Sequence, residues 1–479
     1  MLYWLPSALA QIISPAVSLL VHKYALKMMR IDKSLQAVEL KNRLELFWNL
    51  SAKKITNLET STEISGAPVV TVDGLYTIRP WTDWTQGFQF GSAILQFDAT
   101  GETDFLKLGR QNSLEKMSVH LTHTGGHDHG FQTVSTFGNL LRLMSEGRIP
   151  ENIWERRYYE LALKCSAAVQ GHRWTTVKDG GGYIHSFNGP HSLFSDTIRT
   201  LRVLAIGHRL GHCLKGEGDV SINLLQRAID HGLVTARYNV YYGEGRDYYD
   251  IRGRVAHESI FNIKDGSYRC PSTQQGYSPF TTWTRGLSWI LCGFAEQLEF
   301  LRFLKDAEGD KLTEAINIFE KAAEATCDYY IDSTPSDGIP YWDTGAPGMA
   351  NIDLNEPADP FNPWEPVDSS AAAIAAQGLL RMGRTCTDPP KARRYWQAGL
   401  GIAKTLLSDQ YVSLKSDHQG LILHSLYHRP KGWDRTDTDG VARGESTMWG
   451  DYHARELCLY LTRVLSDETY PAFWNVLAS

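Results

Sequence analysis

The residues with the clearest chemical potential lie in the stretch Thr122–Met144, THTGGHDHGFQTVSTFGNLLRLM. Three histidines and an aspartate stand around Gly125-Gly126, which reads as a turn. Phe137, Leu140, Leu141 and Met144 then recur at helical spacing. Asp128 therefore falls where a loop becomes a helix. Free N–H groups and the helix dipole favour a carboxylate there, either as an ordinary N-cap or as a catalytic group held rigidly yet exposed. A second stretch, Phe187–Leu210, places Asp196 at the head of a helix whose buried stripe is Ile198, Leu201, Leu204 and Ala205. Ser195 is its candidate cap. Two carboxylates that meet suppress each other's ionisation, so one keeps its proton near neutral pH and serves as an acid. Two unrelated caps would give the same sequence. Arg285 and Trp289 lie four apart on one helix face. Arg binds carboxylates bidentately and Trp offers a stacking face; a structural Arg packed on Trp fits equally. His123, His127, Asp128 and His129 resemble a ligand cluster. Their spacing crosses the glycine turn, and no HExxH or paired-Cys pattern supports them, so neither metal nor cofactor is expected.

Helical periodicity dominates the elements that must position these groups. Helices are predicted over 15–30, 33–51, 87–97, 105–121, 130–145, 152–169, 193–214, 220–233, 282–304, 311–332, 369–381, 391–408, 448–464 and 469–477. Strong β alternation is confined to 235–242. Loops rich in Gly, Trp, Tyr, His and Asp separate the helices at 77–85, 172–190, 241–275, 333–366 and 424–446. Paired helices with loops gathered at one face point to an all-α fold of the (α/α) barrel type. An irregular all-α array has the same periodicity.

The length of 479 residues would accommodate about three domains. No Pro-, Ser- or Gly-rich linker divides the chain, so one domain over 1–479 is expected. Net charge −6, from 48 basic and 54 acidic residues, argues against a nucleic-acid partner. The 14 Trp and 22 Tyr suit a carbohydrate cleft, where rings stack on sugar faces, or the filling of a large core. Seven cysteines, an odd number with no CxxC pair, fit an intracellular, cytoplasmic setting. Residues 2–21 are largely apolar but are interrupted by Pro6, Gln11 and Pro15 and lack a basic leader; Ser14-Pro15 reads as a helix start, so a packed helix from Pro15 to Met29 is expected, not a membrane anchor.

Seven motifs occur in order: WTQGF at Trp84–Phe88, HDHGF at His127–Phe131, FSDT at Phe194–Thr197, WTRGLSW at Trp283–Trp289, PYWD at Pro340–Asp343, DSSAAA at Asp368–Ala373 and WGDY at Trp449–Tyr452. Together they resemble the unsaturated glucuronyl hydrolases, glycoside hydrolase family 88, over nearly the whole chain. The resemblance implies an (α/α)6 barrel without metal and a substrate with a Δ4,5-unsaturated uronate at the non-reducing end of an oligosaccharide. It implies hydration of the C4=C5 enol ether, after which the hemiketal opens and the glycosidic link falls apart. The carboxylate-separation rule for retention or inversion has no place in such a reaction. By match to the motifs, Asp196 is the general acid/base and Asp128 the second carboxylate, which should keep Asp196 protonated. By the same match His127 contacts the substrate, His257 stands at the family's other histidine position, Gln275, Arg285 and Trp289 lie near the unsaturated ring and Trp84 is an aromatic at the cleft; Trp174 is a candidate stacking platform. A monomer or weak homodimer is expected. The sister unsaturated rhamnogalacturonyl hydrolases share the fold, but HDHGF favours family 88; sugar epimerases and non-catalytic sugar binders on such barrels are further alternatives. Two departures stand out. His129 replaces an apolar or small residue, as a change in pocket polarity or a solvent-facing side chain. The Ser-x-x-Ser-x-Lys pattern of members acting on sulfated glycosaminoglycans reads here Ser425, His428, Pro430 with Lys431 one place off, so the loop 431–444 is expected to meet a different leaving sugar.

Overall fold

The computed structural model describes residues 29–61, 66–80 and 83–477. Twelve helices in this part of the chain alternate between two environments. We label them α1 Lys41–Thr60, α2 Gln86–Thr100, α3 Thr103–Lys116, α4 (the consecutive segments His129–Thr133, Val134–Gly138 and Asn139–Ser145), α5 Ile153–His172, α6 (Asp196–Thr200 continued by Leu201–Arg209), α7 Leu224–Tyr238, α8 Thr284–Glu308, α9 Thr313–Ser333, α10 Ser369–Thr385, α11 Pro389–Leu406 and α12 Met448–Leu465. The even-numbered helices are buried nearly all round, whereas the odd-numbered ones bury one stripe. A helix without a polar face must sit inside the protein. The even helices accordingly form an inner ring, in which each packs on the next and α12 returns to α2. The outer helices cover them. Close packing in the ring is permitted by small residues, as at Ala371–Ala373, Ala375 and Ala376 in α10, all fully buried. The architecture is an all-α barrel.

Among the described residues nine short strands lie in the connections. β1 Gly66–Val72 and β2 Leu75–Pro80 form a hairpin across Asp73-Gly74, both at positive φ, as a two-residue turn between right-twisted strands requires. Tyr76 of this hairpin donates its hydroxyl to Asp451 at 2.8 Å, docking it on the start of α12. β3 Trp174–Thr176 pairs with β4 Gly182–Ile184, and β6 Leu214–Lys215 with β7 Ser221–Ile222. β5 Ser192–Phe194, β8 Glu258–Phe261 and β9 Tyr268–Ser272 form a three-stranded sheet.

Several expectations from the sequence are corrected here. The helix expected over 15–30 lies outside the described residues except for Met29 and Arg30, which are not helical. The helix expected over 193–214 is shorter: Ser192–Phe194 is a strand, and Gly211, at φ 68°, ends α6 in the left-handed conformation that glycine adopts freely. The β alternation at 235–242 is helical as far as Tyr238, because extending a formed helix costs less than starting a strand and Val234, Thr235, Ala236 and Tyr238 are buried by it. The segment 469–477 is not helical. It is too short to nucleate around Pro471, and side-chain contacts such as Tyr470 to Glu299 and Trp474 to Phe300 pin it instead.

Candidate active site

Each inner helix brings its first turn to the same end of the barrel. Trp84 precedes α2, Asp128 precedes α4, Asp196 opens α6, Trp283 and Arg285 open α8, Asp368 caps α10 and Trp449 opens α12. A cavity of about 150 Å³ lies there, lined by both aspartates together with Trp84, His127, Gln275, Arg285 and Trp289. The structure thus unites seven of the nine site residues expected from the sequence.

Asp128 occupies the N-cap position of α4 but makes no capping bond, and Ser195 makes none at α6. The cap readings therefore fail for both positions, and the Asp128 carboxylate is left to the cavity. The π-helical segment Val134–Gly138 follows within two turns, an irregularity often found beside functional sites. His127 is fully buried, and its Nε2 lies 3.5 Å from Oδ2 of Asp196. Its ring is stacked on Phe187 and meets Phe194 edge-on.

The electrostatics reverse one expectation. Burial raises the Asp128 carboxyl above the ordinary range, and the charge of Asp196 adds to this. Burial would also raise Asp196, but His127, and then His257, outweigh it and hold Asp196 below the ordinary range. Burial would lower His127, yet Asp128 and Asp196 overcome it and hold the imidazole above its usual value. His127 and Asp128 are thus both held towards their protonated forms, and Asp196 towards its carboxylate. Asp196 is not raised, as Asp128 alone would have it, because the attraction of His127 acts on it as well.

Arg285 lines the cavity but has no Nη proton to spare. Nη1 donates to Asp368 Oδ2 at 2.7 Å and to the Leu426 carbonyl at 2.6 Å; Nη2 donates to Gln275 Oε1 at 2.8 Å and to the Tyr427 carbonyl at 2.7 Å. It lies over Trp283 and Trp449. Its work is to hold Gln275 and the 426–427 backbone in place; it does not grip a carboxylate bidentately. His257 is one layer back from the cavity. β5 pairs with β8, and Ser195 N–H donates to the His257 carbonyl at 2.8 Å, which brings the imidazole near Asp196. Burial pushes it down to about 4, so it is neutral, and Nδ1 accepts from Gln274 N–H at 3.0 Å. Trp289 forms a wall with Phe131, and Trp84 is stacked on Trp449 at 5.0 Å.

Trp174 is not part of the cavity. It sits in β3 with the Arg227 guanidinium 4.0 Å over its ring. Trp174→Ala should leave kcat/KM within about twofold of wild type, because the ring does not line the cavity; a tenfold loss would place the β3–β4 hairpin in the substrate path. His129 is neither solvent-facing nor a pocket wall. It is fully buried, with Nδ1 at 3.0 Å from Ser166 Oγ and Nε2 at 2.7 Å from the His123 carbonyl, and burial lowers it to about 4. The histidines of this stretch do not converge; among the described residues the one group spaced for a metal is Glu320, Glu324 and Cys386, where Arg302 and Lys391 pair with the glutamates.

Sequence reasoning missed two aromatics of the rim, Phe187 and Trp433, which are 56% and 45% exposed although they line the cavity. Large rings left in water at loop tips were the available signal. Lys431 lies 4.9 Å over Trp433, and Asp434 accepts from the N–H groups of Tyr427 and His428, closing this loop on itself.

No protein-family model matches the chain. It is 25% identical over 380 residues to an unsaturated glucuronyl hydrolase of Formosa agariphila, covering 79% of each. It is likewise 25% identical over 403 residues to an unsaturated chondroitin disaccharide hydrolase of Streptococcus pyogenes, covering 81% of this chain and 84% of that one. The crystal structure of the unsaturated glucuronyl hydrolase from Bacillus sp. GL1 superposes with a TM-score of 0.67 at 22% identity, covering 89% of this chain and 98% of that one. With this fold, the ordered motifs around its cavity and these curated relatives, the chain is a glycosidase related to the unsaturated glucuronyl hydrolases.

Proposed function

We propose that this enzyme releases Δ4,5-unsaturated glucuronic acid from the non-reducing end of lyase-generated oligosaccharides by hydrating the C4=C5 double bond. The observation that carries this is the His127–Asp196 pair, 3.5 Å apart, beside Asp128 in an aromatic-walled cavity. The inner helices direct their positive ends at this cavity, which suits the uronate carboxylate. That carboxylate brings a further negative charge close to Asp196 and raises its affinity for a proton. The proton passes from Nε2 of His127 to Oδ2 of Asp196 and on to C4. Water then adds at C5, and the Asp196 carboxylate takes up the proton that water gives up. The hemiketal opens and the leaving sugar departs as a free alcohol. Asp128 holds the charge balance of the pair, Arg285 positions Gln275, and Trp84 and Trp289 face the sugar.

One domain carries the activity, acting as a monomer or weak homodimer. No helix among the described residues is long and apolar enough to cross a membrane, and the seven free cysteines support a cytoplasmic site of action. The name of the Streptococcus pyogenes relative makes unsaturated chondroitin disaccharides the first substrates to offer. The conjugated double bond absorbs in the near ultraviolet, and enzyme should abolish this absorbance. Persistence of the absorbance across several unsaturated disaccharides would overturn the hydration reading; a sugar epimerase would also leave it intact.

A further inference from the structure

The two candidate carboxylates ride on adjacent inner helices, and a buried ion cluster ties those helices together. Arg199, one turn after Asp196, gives Nε and Nη2 to the two oxygens of Glu296 on α8, at 2.9 and 3.0 Å, and Nη2 also to Glu456 on α12 at 2.8 Å. Arg202, a turn further on, stands 3.8 Å from Glu296 and 3.6 Å from Glu456. Its Nη2 donates to the carbonyl of Gly130 at 2.9 Å. Gly130 is two residues past Asp128, and the Thr200 backbone fills the space a Cβ would need there. Thr200 Oγ1 in turn donates to the His127 carbonyl. Thus α6 grips the first turn of α4 through a glycine contact, a hydroxyl and a guanidinium.

Arg199 and Arg202 are buried like charges three residues apart. Such a pair is tolerated in a dry interior only when carboxylates neutralise it. Glu296 supplies one negative charge and Glu456 the other. The Glu456 carboxylate also borders a small cavity of about 40 Å³ with Asn139 and Arg381. It is not among the groups that line the substrate cavity.

We propose that Glu456 is a positioning residue which, by neutralising Arg199 and Arg202, seats α6 against α4 and so sets the separation of Asp196 from Asp128. The inference rests on these two carboxylates being the reacting pair. A displacement of about 1 Å at a reacting group can cost about 100-fold in rate. Removing the charge while keeping the shape, in Glu456→Gln, should therefore lower kcat on an unsaturated chondroitin disaccharide about 10- to 100-fold, with KM within about threefold. Glu456→Asp, which restores the charge, should recover most of the loss. Arg202→Lys keeps its charge but loses the geometry of the Gly130 contact, and should behave like Glu456→Gln.

A second readout separates positioning from mere stability. The groups facing Asp128 are His127, Asp196, His123, Arg173 and Asp83. Asp196 raises the Asp128 carboxyl by like-charge repulsion, so moving the two apart must shift the Asp128 titration to lower pH. Carbon-13 NMR of labelled aspartate carboxyls in full-length wild type and Glu456→Gln reads this directly. An unchanged Asp128 titration, or an unchanged kcat, overturns the proposal. If wild type fails to bleach the disaccharide, the hydration reading has failed, and the carboxyl titration still decides the role of Glu456.

Discussion

Asp196→Asn should reduce turnover of an unsaturated disaccharide by about 10²- to 10⁴-fold, the usual contribution of a general acid or base, while binding stays measurable by calorimetry. The amide has nearly the shape of the carboxylate, so the cavity keeps its walls. It can neither pass a proton to C4 nor collect one from water. The substitution also removes one of the two negative charges that hold His127 above its usual value and one cause of the raised Asp128 carboxyl. Both titrations should therefore move down, His127 towards the value of a buried neutral imidazole. If Asp196→Asn keeps its activity and Asp128→Asn loses it, the proton donor is Asp128, the carboxyl that burial raises above the ordinary range.

Arg285→Ala should destabilise the fold by about 3–5 kcal/mol, because it leaves a buried carboxylate without its cation. The side chains of Arg285 and Asp368 are 4% and 1% exposed. Asp368 caps α10 through Ser370 N–H and also accepts from Ser370 Oγ. Those bonds remain in the variant, but the compensating charge does not. The carbonyls of Leu426 and Tyr427 lose their donors at the same time, so the rim loop should loosen and KM should rise. Arg285→Lys keeps one charge but cannot form the four-bond fork, and should fall between wild type and Arg285→Ala in urea denaturation. A loss below about 1 kcal/mol would mean that solvent reaches Asp368 in the variant.

The inner helices were legible in the sequence because burial on all sides leaves long apolar runs, and their first turns were legible because the motifs stand there. That is why Asp128, Asp196, Trp84 and Trp289 could be placed around one cavity. The short strands escaped notice, since three residues such as Ser192–Phe194 carry no periodicity of their own and are fixed by their partner Glu258–Phe261. The protonation pattern escaped for a related reason: the order of charges on His127, Asp128 and Asp196 depends on which atoms face each other, and spacing along the chain does not contain that. Arg285 was read as a carboxylate binder because a guanidinium advertises that affinity whether the partner is a ligand or, as here, Asp368. Trp174 was read as a stacking platform because a ring in an aromatic loop looks the same in sequence whether it faces a cavity or Arg227.

The loop after Tyr427 closes on its own Asp434 and leans on the barrel through backbone carbonyls that Arg285 holds. Carbonyls are common to every sequence, so this anchor by itself asks nothing of the side chains that follow it, whereas Arg435 and Arg443 tie the loop to Asp73 and to the Asn362 carbonyl. Substitutions between those two arginines can therefore reshape the rim while the backbone anchor on Arg285, and the cavity beneath it, keep their places.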